Sequence, residues 1–219
     1  MIAERLDKLR ESIANACARA HRPEKSVQLI VVTKTASIEA IQEVIRLGCT
    51  ELGENRTQHL KQVADEVDAF LKANADDLTM PKQVNWHMIG HLQRNKVKAV
   101  LPVVDLIHSV DSLRLAEELE TQVQRLDRKV PVMLQVNASE EKSKYGVAVG
   151  ASVHLAEQIA SMDGLQLVGL MTMAPLTDKP DEARFVFART REIFEEMRWH
   201  KIGGTGFRHL SMGMSGDFE

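Results

Sequence analysis

Apolar residues along this chain fall into two kinds of block, one spaced as a helix and one continuous. Leu6, Leu9, Ile13, Ala16 and Ala20 recur at helical spacing before Pro23 closes the block. The run Leu29-Ile30-Val31-Val32-Thr33-Lys34 follows, uncharged and β-favouring until it ends on a lysine. Such a run predicts a strand buried on both faces, as in parallel sheets. Ser37 is placed to cap a helix with Ile38, Ile41 and Ile45 as its stripe, and Gly48 to stop it. A short apolar stretch at 50–53 leads through Glu54 and Asn55 into a polar helix from about Thr57 to Ala73. Residues 84–90 read as a strand followed by His91, and 95–101 as a short helix closed by Pro102. Another strand is predicted at 103–108, with Asp111 capping a helix striped by Leu115, Leu119, Val123 and Leu126. Residues 130–136 form the next strand, leading through Asn137 to a polar loop with Lys142, Lys144, Tyr145 and Gly146. A helix through Leu155, Ile159 and Met162 stops at Gly164 before a strand at 165–170. Ala183, Val186, Phe187, Phe194 and Met197 then mark one side of a longer helix after Pro180, and 207–210 is a last short strand.

Seven strand signals separated mainly by helix signals imply βαβ units and a parallel sheet. Lys34, Asn55, His91, Ser109, Asn137, Thr172 and Ser211 recur at or just beyond strand ends. A doubly wound open sheet alternates in the same way but more often carries a glycine-rich fingerprint after its first strand. Here that place holds Lys34-Thr35-Ala36, which favours an α/β barrel of the TIM type, read as one domain over residues 1–219. In such a barrel the carboxyl ends of the strands are the face that does chemistry.

Charge narrows the partners. Twenty-eight basic residues against 31 acidic give a net charge of -3 with no basic block, so nucleic acid is not expected. No apolar run approaches membrane-spanning length and the amino terminus is too charged for a signal peptide, which predicts a cytoplasmic protein with no membrane partner. Cys17 and Cys49 read as two reduced thiols, and the ten methionines as core filling.

Lys34 is either a solvated lysine at a strand end or an amine in a partly desolvated mouth, able to condense with an aldehyde. Asn55 either caps the helix after it or donates to a bound ligand. Ser211, Gly213, Ser215 and Gly216 form either an ordinary turn or a nest of backbone donors for a phosphate, opening a further helix. His87 and His91 are four apart in a predicted strand, roughly 13 Å, so they are not a zinc pair and no metal is expected. Ser109 and Thr172 either line the mouth or satisfy local backbone groups. The loop at 137–150 is long and polar enough to act as a lid.

The motifs Val31-Val32-Thr33-Lys34-Thr35, Gly53-Glu54-Asn55, Trp86-His87-Met88-Ile89-Gly90-His91-Leu92-Gln93-Arg94-Asn95-Lys96, Ile107-His108-Ser109-Val110-Asp111, Gln135-Val136-Asn137, Ser143-Lys144-Tyr145-Gly146, Gly169-Leu170-Met171-Thr172-Met173 and Leu210-Ser211-Met212-Gly213-Met214-Ser215-Gly216-Asp217 occur in order. Together they resemble the YggS-type pyridoxal phosphate homeostasis proteins. The resemblance implies a barrel related to the barrel domain of alanine racemases, with pyridoxal 5′-phosphate (PLP) held as an imine on Lys34. It further implies Asn55 at the cofactor site. From their places at strand ends, His91 and Ser109 are expected to orient the ring, and Ser211, Gly213, Ser215 and Gly216 to hold the phosphate. Arg56 and Thr57 stand where the family usually has tyrosine and a hydrophobic residue. The family also continues beyond the position of Glu219 with a helix and a strand carrying an arginine and a Gly-Ser/Thr pair. Since these have no counterpart here, the sequence is expected either to be cut short at its carboxyl end or to form a defective or partner-completed barrel that lacks the last strand and helix, keeping the fold with lowered cofactor affinity. The function implied is a non-catalytic carrier and buffer of PLP, a monomer or weak dimer that hands the cofactor to PLP-dependent apoenzymes. An amino-acid racemase remains open, although racemisation needs a base on each face of the substrate and Tyr145 is the one tyrosine. So does a regulatory scaffold with an incidental cofactor site.

Overall fold

In the computed structural model, residues 1–126, 128–141, 144–177 and 179–219 are described, so Lys142 and Ser143 of the predicted loop lie outside the described residues. Two compact units result, Met1–His87 with Glu219, and Met88–Phe218.

The first unit contains α1 (Ile2–Arg19), β1 (Val31–Val32), α2 (Ile38–Arg46), β2 (Glu51–Glu54), α3 (Thr57–Ala73) and β3 (Asn85–Met88) up to His87. Ser37 caps α2 as its spacing predicts, its hydroxyl accepting from the Ala40 N–H at 3.3 Å. Ile41 and Ile45 are the buried face, and Gly48 ends the block in the left-handed region at φ 82°. Only glycine takes that conformation freely, which is why the chain can turn there towards β2. The predicted first strand is corrected. It is Val31–Val32 alone, paired in parallel with Leu52 and Gly53 of β2. Nor is it buried on both faces, since Val32 is 45% exposed while Thr33 is 1% exposed. An apolar run fixes strand character, but the ladder extends only as far as a partner strand offers bonds.

Cys49, just after Gly48, is buried, and burial pushes its thiol above the ordinary value of 9.0 against a smaller pull from the nearby Arg10. A raised thiol stays neutral in the fold, so its contribution to stability is complete below that value and is lost as pH rises through the shifted one. Maleimide is expected to leave Cys49 unmodified at neutral pH in native protein and to label it in urea. Equal labelling in both states would contradict that burial.

The second unit contains α4 (Val97–Val100), β4 (Leu106–Val110), α5 (Leu113–Val123), β5 (Val130–Asn137), β6 (Val147–Ala148), α6 (Val149–Ala160), β7 (Leu165–Met171), α7 (Pro180–Trp199) and β8 (His209–Ser211). Its strands are ordered β4, β5, β7, β8, with β6 beside the end of β5. The pairings β4–β5, β5–β6, β5–β7 and β7–β8 are all parallel, as alternating strands and helices predict. Strand β6 is an element the residue pattern did not announce. It forms because Gly146, at φ 126°, lets the loop lie against Asn137 where a Cβ would come within 2.6 Å of its nitrogen.

Two boundaries differ from expectation for local reasons. The fourth strand starts at Leu106 rather than at 103 because the N–H groups of Val103 and Val104 are spent on the Val100 carbonyl, finishing the turn after α4. Ser109 therefore sits inside β4 and not beyond it. The cap of α5 is Ser112, and Asp111 turns its carboxylate away to His91. Helix α7 begins at Pro180, whose missing N–H is no loss in a first turn, and buries Ala183, Val186, Phe194 and Met197.

Candidate functional site

In the first unit the predicted residues meet at the carboxyl ends of β1 and β2. Thr33 follows the last paired residue of β1, its N–H donating to the Gly53 carbonyl at 3.0 Å and its own carbonyl accepting from Ala36 N–H at 3.0 Å. Lys34 rides in the turn this closes. Carrying the Val32–Gly53 register two residues on sets Lys34 level with Asn55. Thr33 and Glu54 are both buried and hydrogen-bonded to each other, whereas Lys34 lies beyond β1 in the exposed turn and Asn55 just beyond β2. Of the two readings of Lys34, the structure shows the solvated one: it is exposed, since the strand ends two residues before it. Asn55 does not cap α3. The cap position is Arg56, without a side-chain bond, and Asn55 Oδ1 is buried with no hydrogen-bond partner among the described residues.

Beside this turn is a buried group that the sequence reading passed over. Glu54 is fully buried, accepts the Thr33 hydroxyl on Oε1, and has no hydrogen-bond partner on Oε2 among the described residues. His59, in the first turn of α3, brings Nδ1 to 3.0 Å from Glu54 Oε1 without the angle of a hydrogen bond. Its one signal in the sequence was a carboxyl at an in-facing position two residues after Leu52. His87, nearby on β3, lies 2.7 Å from Glu51 Oε2, and Asn85 Nδ2 donates to Glu51 Oε1 at 2.7 Å.

In the second unit, Asp111 Oδ2 accepts from His91 Nδ1 at 3.1 Å, and the Tyr145 ring stacks on the His91 ring at 4.0 Å between centroids. His87 and His91 thus serve different carboxylates. No group of three or more His, Cys, Asp or Glu side chains able to hold a metal occurs among the described residues. Ser109 is fully buried with its Oγ lacking a partner among the described residues. Thr172 takes the bland alternative, its hydroxyl donating to the Val136 carbonyl at 2.9 Å. Ser211 ends β8, hydrogen-bonded through Oγ to His108 Nδ1 at 2.8 Å. Beyond it, Gly213 has φ 85° and a Cβ there would meet the Phe218 backbone at 3.0 Å. Ser215 and Gly216 do not open a helix. They lie in an exposed turn in which Asp217 accepts the Met214 N–H and Phe218 N–H reaches the Met214 carbonyl at 3.1 Å. The anionic side chain so placed takes one of the backbone donors that the sequence reading assigned to a phosphate nest. The loop after β5 is tied down by Asn137 Nδ2 donating to the Glu141 carbonyl at 2.8 Å and Gln135 Nε2 to the Tyr145 carbonyl at 3.2 Å. A groove of ≈ 430 Å³ lined by Ser139, Pro175, Asp181, Glu182, Phe185 and Val186 contains none of the predicted residues.

The family described as alanine racemase, N-terminal domain, matches residues 5–219. A pyridoxal phosphate homeostasis protein of Aquifex aeolicus is 35% identical over 216 residues, 99% of this chain and 89% of that protein. A crystal structure of an unknown protein from Bifidobacterium adolescentis superposes with a TM-score of 0.91 at 33% identity, over 99% of this chain and 87% of that one. The structure of PipY from Synechococcus elongatus with PLP bound superposes with a TM-score of 0.80 at 32% identity, over 100% of this chain and 91% of that one.

Proposed function

We propose, from the premise that the chain belongs to the alanine racemase N-terminal domain family and groups with its pyridoxal phosphate homeostasis proteins, that it binds PLP through Lys34 and buffers the cofactor without turning over a substrate. One observation carries this reading. Lys34 is presented on a closed turn just beyond β1, and just beyond the neighbouring β2 is Asn55, whose buried oxygen has no hydrogen-bond partner among the described residues. An orphaned buried acceptor costs roughly 1–3 kcal/mol, and a ligand that supplies a donor removes that cost. The residues present therefore fit the group.

When bound, PLP supplies an aldehyde that condenses reversibly with an amine, releasing water. Lys34 supplies that amine, and its exposure leaves it open both to loading and to exchange with another amine. Asn55 offers a carbonyl oxygen and two N–H donors for the polar substituents of the ring. Within the second unit, the residues assigned to orienting the ring are His91, held at Nδ1 by Asp111, and Ser109, whose hydroxyl has no hydrogen-bond partner among the described residues. Ser211, Gly213, Ser215 and Gly216 are assigned to the phosphate from their place after the last strand, with Gly213's left-handed backbone as the support in this chain. Handover to PLP-dependent apoenzymes and a cytoplasmic location are part of the same reading. No helix of the described residues is long and apolar enough to cross a membrane.

The test is the absorbance of purified protein titrated with PLP, followed by borohydride reduction and peptide mapping. A visible band that reduction fixes to the peptide containing Lys34 is the expected result. Label on another side chain, or no label, overturns the proposal.

A further inference from the structure

Behind the lysine, on the covered face of the sheet, is a carboxyl that packing alone does not require. Glu54 shares its face with Leu52, both of them fully buried, and a second leucine would fill the place without the cost of removing a carboxyl from water. What the carboxyl does there is accept the hydroxyl of Thr33, the residue immediately before Lys34. Thr33 is thereby fixed at three points: its N–H on Gly53, its carbonyl on Ala36, its side chain on Glu54. The carboxyl in turn is approached by His59 from α3, so the position of Thr33 is referred to a helix as well as to the neighbouring strand.

We infer that Glu54 is a positioning residue for Lys34, acting through Thr33 and seated by His59. It acts without touching what Lys34 holds, since Glu54 is fully buried while Lys34 is exposed beyond the strand. Its effect is on where the Lys34 backbone stands, and hence on where a long, otherwise freely rotating side chain can deliver its amine. Displacements of about 1 Å at a reacting group are able to cost on the order of 10²-fold in rate. The inference rests on the assignment of Lys34 as the PLP-binding amine.

Three variants separate positioning from mere stability. Thr33→Val keeps shape and removes the hydroxyl donor. Glu54→Leu removes the carboxylate acceptor and leaves the hydroxyl only the Gly53 carbonyl at 3.3 Å, and Glu54→Gln keeps an acceptor oxygen for Thr33. Each is measured for the rate of appearance of the PLP band, for the pH midpoint of that band, and, without cofactor, for its urea midpoint. Thr33→Val and Glu54→Leu are expected to slow band formation roughly tenfold to a hundredfold and to shift its pH midpoint, with Glu54→Gln restoring most of the rate. Should Glu54→Leu fail to fold, the near-isosteric Thr33→Val still decides the matter. Wild-type rate and pH midpoint in Thr33→Val, or a loss confined to the urea midpoint, overturns the positioning role alone. A wild-type protein that forms no band at Lys34 overturns the functional reading together with it.

Discussion

Lys34→Ala is expected to abolish reductive labelling by PLP and to remove most of the thermal stabilisation the cofactor gives. A ligand at a hundred times its Kd stabilises the folded state by about 2.7 kcal/mol, and a hundredfold weaker affinity leaves about 0.4 kcal/mol at the same concentration. The substitution itself is nearly neutral to folding, because Lys34 is exposed on a turn whose bonds are made by Thr33, Ala36 and the neighbouring strand. The comparison is therefore clean: melting temperatures of parent and variant should agree without PLP and separate with it. A variant that keeps the full shift binds the cofactor by groups other than this amine. One that is already unstable without ligand would place Lys34 in the structure of the turn instead.

Helices were legible in this sequence because their signals are local. The bounds of α3, Thr57–Ala73, fall where the polar periodicity put them, and Ser37 and Gly48 bracket α2 as cap and stop. Strand extents were less so, since a strand ends where its partner ends. Hence β1 contracts to two residues, β4 slides towards the carboxyl end, and β6 appears in a loop that carries no strand signal. Side-chain allegiance was the least legible part. Asp111 has the spacing of a cap and Asn55 likewise, yet the first turns to an imidazole twenty residues away and the second is left with a buried oxygen that finds no partner among the described residues. At the candidate site, Lys34 was readable as the charged end of an apolar run. Glu54 was not, although it stands in the same quoted motif as Asn55. Its importance lies in a hydroxyl on a neighbouring strand, twenty-one residues back, that only the register of β1 on β2 brings to it.

That dependence of side chains on register leads to the second large effect, in the other unit. Gly169→Ala in β7 is expected to destabilise the protein by about 3 kcal/mol or more, at the upper end of what overpacking costs. Gly169 pairs with His209 of β8, and a Cβ built there lies 1.9 Å from the His209 carbonyl oxygen and 2.7 Å from its carbon. Both obstacles are backbone, so no rotamer change relieves them and the two strands must move apart. On either side of that point the Arg208 N–H meets the Val168 carbonyl at 2.9 Å and the Thr172 N–H meets the Ser211 carbonyl at 3.0 Å. Separation strains both bonds and draws Ser211 away from His108. Urea unfolding should show a lower midpoint with little change in slope, since the surface exposed on unfolding is nearly the same. A parent-like midpoint would mean that β8 is held too loosely for a methyl group to matter, and Ser211 could not then be a fixed point of a phosphate site.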